Sequence, residues 1–200
     1  RIPKEKFEGI TGRGEVRYGG ANLEQSNAAV VDVGTGNFVM HFDAYSRDSK
    51  NLRIPGNAIS NRLESANYWN PGGGTGSGAT EDAPKIGIHE SYTTAHGRNK
   101  LLNSQSETKG GAVGASMIFD RGYAGVSYAK HQTKYGSVKE PGILLDMDTD
   151  RIDFASEIRD LGSFFERAKF RAAYTDYRHH EMGGGEIHST FKNKGIDGTF

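Results

Sequence analysis

The chain has 200 residues, enough for one or two globular domains, yet only 34% of them are hydrophobic. Soluble domains carry about 45–50% on a count that includes Gly. Gly fills 28 positions, about twice its usual share of roughly 7%. Lys plus Arg and Asp plus Glu number 25 each, so the formal charge is zero. That balance leaves no basic footprint for nucleic acid and no repulsion to hold the chain open as a disordered segment. Cys is absent, which excludes disulfides and Cys-based metal or nucleophile sites. No apolar run approaches the roughly 18 residues of a transmembrane helix. Arg1-Ile2-Pro3-Lys4 opens without a signal peptide, so an exported chain has lost its signal or carries it outside this stretch.

Apolar and polar residues alternate with period two, the signature of strands with one face buried. The first such segment, 10–19, sets Val16 and Tyr18 against Arg13, Glu15 and Arg17. A Gly/Ala-diluted version follows at 26–34. The clearest is 37–47, with Phe38, Met40, Phe42 and Ala44 on one face and His41, Asp43, Tyr45 and Arg47 on the other. Beyond another diluted stretch at 108–119, residues 122–135 set Ala124, Val126 and Tyr128 against Gly125, Ser127 and His131. Segment 149–158 opposes Ile152, Phe154 and Ile158 to Arg151, Asp153 and Glu157. Segment 167–177 opposes Ala168, Phe170, Ala172 and Tyr174 to Lys169, Arg171, Thr175 and Tyr177. A last diluted strand is expected at 187–200. The pattern predicts an all-β fold, an antiparallel meander of about eight strands.

The connections are expected to alternate short and long. Gly34-Thr35-Gly36-Asn37 and Asp120-Arg121-Gly122 have hairpin composition, and Leu161-Gly162-Ser163 lies in a third short link. These should share one end of the sheet, with 19–25, 48–106, 136–147 and 179–187 at the other. A connection as long as 48–106 argues against a compact soluble domain and fits an outer-membrane barrel, short-turned on one side and long-looped on the other. A soluble β-sandwich also alternates. Charged residues along nearly every polar face, opposite Ala, Val and Gly, favour a barrel with a wet interior.

Several segments carry a family resemblance. Arg1-Ile2-Pro3 and Gly12-Arg13-Gly14-Glu15-Val16-Arg17-Tyr18-Gly19-Gly20-Ala21-Asn22 resemble the plug-to-barrel junction of TonB-dependent outer-membrane receptors. Phe42 to Asp48 and Leu52-Arg53-Ile54-Pro55-Gly56 look like their third strand entering a long outer loop. Gly110 to Ser116 with Asp120-Arg121-Gly122-Tyr123 resembles a hairpin of the group, and Tyr174 to His179 with Glu181 to Glu186 adds a fourth match. The most similar subgroup includes zinc-uptake receptors. The resemblance implies the N-terminal third of a barrel of about 22 strands with a plugged lumen. It makes residues 1–9 the plug-to-barrel junction and 10–200 a partial barrel with a long extracellular loop at 48–106. The partners implied are the plug domain of the same parent chain, the TonB energy-coupling protein and outer-membrane lipid, with no nucleic acid. The location implied is the bacterial outer membrane. A passive porin or a structural or adhesive barrel is the alternative.

Histidine supplies the candidates for metal chemistry. His179-His180-Glu181 is predicted at the outer end of a strand, with His188 opening the next. Imidazole and carboxylate suit zinc, the transported ligand that the resemblance suggests. The competing reading is a solvated loop base. Adjacent residues of a regular strand point to opposite faces, so a shared ion needs the strand to end or bulge near 179. His89 and His96 are secondary candidates in the long loop. His41 and His131 are expected on the lumen face, with Arg13, Arg17, Lys169, Arg171, Glu15, Asp153 and Glu157 as a charged lining. The His-dense outer loop of zinc receptors has no counterpart in Val138–Asp148, where Asp146, Asp148 and Asp150 alternate as a charged rim. Gly72–Gly78 lacks the Lys of a phosphate loop, and no nucleophile, base and orienting group form a recognisable set. No catalytic or cofactor-binding residue is expected.

Overall fold

The computed structural model describes residues 1–58, 99–138, 140, 142–162 and 165–200. His89, His96 and most of the expected long connection lie outside these. The described residues form ten strands: β1 (Phe7–Gly19), β2 (Glu24–Gly36), β3 (Phe38–Ser49), β4 (Leu52–Arg53), β5 (Lys100–Leu101), β6 (Ser106–Phe119), β7 (Gly122–Gly136), β8 (Ile143–Arg159), β9 (Arg167–Gly183) and β10 (Glu186–Thr199). Eight of them make one antiparallel meander in the order β1-β2-β3-β6-β7-β8-β9-β10, and β4 pairs with β5 as a separate ribbon. The all-β meander expected from the alternation is therefore present.

The turns at 37 and 120–121, the end of β8 and the start of β9 lie at one end of the sheet; the turns at 20–23 and 184–185, the ends of β3 and β7 and the starts of β6 and β8 lie at the other. That is the expected division of ends. The expected lengths need correction. β9 continues to Gly183 and β8 begins at Ile143, so much of 136–147 and 179–187 is strand rather than loop. Gly184 and Gly185 close β9 onto β10 as a two-residue turn with φ of 62° and 88°. Both angles are positive, the backbone of a tight hairpin turn that glycine adopts without steric penalty.

One continuous register runs across the sheet, broken only by a bulge between Ile187 and Ser189. Cross-strand partners share a face. Gly12, Val31, Phe42, Val113, Tyr128, Ile152, Tyr174 and Ile196 are therefore one row on one face. Thr11, Asp32, His41, Gly114, Ser127, Asp153, Ala173 and Asp197 form a neighbouring row on the other. Residues from both edge strands, Thr11 of β1 and Asp197–Thr199 of β10, line a single cavity of about 820 Å³ with His41, Ser127, Asp153 and Ala173. The sheet is thus a trough whose concave face carries the polar rows. Phe38, Met40, Phe42, Val126, Tyr128, Phe170 and Tyr174 share the convex face, as the alternation predicted. No second sheet covers that face among the described residues: Val126 is 50% exposed, Tyr128 42% and Phe42 39%.

Burial is concentrated at the 120–121 end of the concave face, where Val39, Ile118, Tyr123 and Ala155 pack with Ile2 and Phe7. Residues 1–6 cross this face as a strap. The Arg1 carbonyl lies where a Cβ on Gly114 would stand, and Ile2 Cγ2 is 2.6 Å from the Cβ position of Gly125. Two glycines on the concave face thus form the saddle that admits the strap. Lys4 Nζ stands 6.0 Å from the Tyr123 ring centroid, and Lys6 donates to Asp120 Oδ1 at 2.8 Å. That hydrogen bond holds the Asp120 carboxyl below the usual carboxylate range. A depressed folded-state pKa stabilises above the unfolded value and stops doing so as pH falls through the depressed one. The Lys6–Asp120 contact therefore persists at neutral pH and is lost as the pH falls into the acid range.

Filling the saddle should release the strap and spare the sheet. Gly114→Ala, whose added Cβ would meet the Arg1 carbonyl and no sheet atom closer than 3.4 Å, is expected to speed tryptic cleavage after Lys4 and Lys6, with strand content by circular dichroism unchanged. Equal cleavage rates in variant and parent would show that the saddle does not hold the strap.

Candidate functional site

The concave face is polar because its rows are filled with charged and small residues. Arg151 pairs with Asp153 at 2.8 Å, Lys169 with Glu157 at 3.4 Å and Arg159 with Glu157 at 2.7 Å. Arg17 pairs with Glu15. All seven residues expected as a charged lining lie on this face by register. His41 is buried on this face, 4% exposed. Its Nδ1 meets Asp32 Oδ1 at 2.7 Å and its Nε2 meets Asp43 Oδ2 at 3.1 Å. Both ring nitrogens are thus committed, and the group ties β2 to β3 rather than offering a ligand atom. His131, also concave, is bonded through Nδ1 to the Tyr45 hydroxyl at 2.6 Å.

The four candidate metal ligands are not brought together. β9 remains regular through 179 and 180, and the register bulge lies on the partner strand β10 at Ile187–Ser189. His179 and His180 consequently occupy opposite faces. His180 is convex, with Nδ1 2.8 Å from Thr190 Oγ1. Concave His179 packs on Phe191 at 5.7 Å between centroids and meets the Tyr177 hydroxyl at 3.3 Å, and its buried Nε2 has no hydrogen-bond partner. Glu181 accepts from Ser189 Oγ at 2.8 Å. His188 lies over Gly183. Among the described residues no three His, Asp or Glu side chains are placed to hold a metal ion. The strand end near 179 that the shared ion required is not there.

Asp146, Asp148 and Asp150 form a convex series that faces cations on β7. Lys134 pairs with Asp146 at 3.0 Å, and Lys130 with Asp148 at 3.1 Å and Asp150 at 3.3 Å. Gln132 donates to Asp148 at 2.5 Å. These carboxylates make a paired rim. The pairing across β7 and β8 follows from the i, i+2 spacing of both series, which alternation made visible but only register could align. No family model matches the chain, and no curated protein sequence matches it either.

Two outcomes test this geometry. Zinc titration of the protein should give the same affinity for parent, His179→Ala and His188→Ala; a drop in either variant would restore a shared ion. Removing the His41 ring strips Asp32 and Asp43 of their common partner at a buried position. His41→Ala should therefore cost about 1–3 kcal/mol, read as a lower urea midpoint.

Proposed function

We propose that the chain is a stretch of wall of a bacterial outer-membrane β-barrel, belonging to a TonB-dependent transport receptor. On this reading the parent captures a scarce solute, such as a metal ion or metal chelate, and imports it through a plugged lumen. The carrying observation is the inversion of the two faces. An uncovered apolar band lies on the convex side, and ion pairs, His41 and an 820 Å³ cavity lie on the concave side. A soluble domain hides its apolar face from water, whereas a barrel with a wet lumen turns it towards lipid.

The edge of the band supports the same reading. The row Gly14, Ala29, Ala44, Gly111 is small and uncharged on β1 to β6, then continues as Lys130, Asp150, Asp176 and Lys194 on β7 to β10. At the opposite edge, Ile158 and Ala168 extend the apolar rows beyond Ser156 and Phe170. The band runs oblique to the hydrogen-bonded rows, as it does when strands tilt by about 35–45° from the membrane normal. Concave ion pairs then line the lumen against the plug, and the energy-coupling protein acts through the parent.

Arginine scanning of the two faces tests the wall. An Arg or Lys facing lipid at mid-membrane costs about 2–4 kcal/mol. Val126→Arg, convex, should deplete the heat-modifiable species from the outer-membrane fraction. Asn193→Arg, concave, should leave it at the parent level. Equal tolerance of both would sink the barrel. Uptake of the solute that persists without the coupling protein would point to a porin.

A further inference from the structure

Among the described residues most cations of the charged rim above the apolar band are paired. Lys130, Lys134 and Lys194 each lie within 3.5 Å of a carboxylate, Lys194 against Asp176 at 3.5 Å. Arg178 of β9 and Lys192 of β10 face each other as direct cross-strand partners, and neither makes an ion pair among the described residues. The other neighbour of Arg178 is Asp148, which is already held by Lys130 and Gln132. Like charges directly opposite each other in a sheet are destabilising. Two exposed cations placed so offer a paired site to a single anion.

Their position indicates which anion. Both are convex, in the second row beyond Tyr174 and Ile196, with the charged pair Asp176 and Lys194 between. From Tyr174 to Arg178 is four residues, about 13 Å of strand, and both side chains are long enough to reach back along it. Arg178 also borders a pocket of about 210 Å³ with Lys109, Lys134, Asp148 and His180. A guanidinium offers paired donors to a phosphate, and an ammonium adds a point charge. We infer that Arg178 and Lys192 together clamp the phosphate of an anionic lipid headgroup at the outer edge of the band. This inference rests on the membrane reading proposed above, since it takes the convex face as the one in contact with lipid.

The test reads lipid retention separately from membrane location. Full-length protein in detergent is exposed to phosphatidic acid or to diacylglycerol, which shares its chains but lacks phosphate, and retained lipid is measured by native mass spectrometry. The parent should prefer phosphatidic acid. Arg178→Gln with Lys192→Gln should lower that preference about tenfold, the equivalent of 1.4 kcal/mol. Lys194→Gln, in the neighbouring convex row but paired with Asp176 at 3.5 Å, should leave it intact. Preference unchanged in the double variant overturns the clamp, and so does inorganic phosphate that displaces the lipid. Either result in protein that still fractionates as a heat-modifiable membrane species refutes the clamp alone. Protein absent from the membrane fraction refutes clamp and wall together.

Discussion

Everything in this molecule depends on the register of one ladder. Side chains in a sheet alternate with period two, so a slip of one residue between any two neighbouring strands would exchange their faces. Across the eight-stranded sheet no such exchange occurs: the row through His41 stays concave and the row through Phe42 stays convex from β1 to β10. The bulge between Ile187 and Ser189 is the one irregularity, and it falls next to the Gly184-Gly185 turn, where it absorbs a residue before the rows resume. A sheet aligned this well can be wet on one side and apolar on the other along its whole width.

The polar side holds itself together without a conventional core. Its buried apolar group is small, four residues plus Ile2 and Phe7, and elsewhere cross-strand polar pairs take over. Tyr45 to His131, Thr108 to Thr133 at 2.8 Å and His41 between two aspartates each span neighbouring or next-neighbouring strands. The strap belongs to the same economy. It lays Ile2 beside Gly125, close to Ser116, whose buried hydroxyl has no partner, and packs it against the buried apolar group.

Fold class and facing were legible because alternation in Phe38 to Arg47 or Ala168 to Tyr177 needs no tertiary information. Strand ends were less so. The extension of β9 through Arg178, His179 and His180 carries polar residues on both faces, and such a stretch has no apolar period to betray it. The Gly183-Gly184-Gly185 run marks the turn that ends it, and reading that signal first would have placed β9 correctly. The metal candidates lie apart for the same reason. Treating 179–187 as loop freed the histidines to converge, whereas a regular strand fixes His179 and His180 on opposite sides. The strap was illegible, since nothing in Arg1-Ile2-Pro3-Lys4 announces that it will lie against Gly114 and Gly125.

The edges complete the argument for the proposed wall. Among the described residues β1 pairs only with β2, and β10 only with β9, so each carries a row of backbone donors and acceptors on its free side. In water such groups are solvated, although a long exposed edge invites aggregation. In hydrocarbon each unsatisfied group costs several kcal/mol, and only closed sheets are stable there. If the convex face meets lipid, β1 and β10 must pair with further strands of the parent. The apolar band and the free edges then have one remedy in common, closure of the ladder around the polar side. A lumen formed in this way would enclose the strap, His41 and the charged rows.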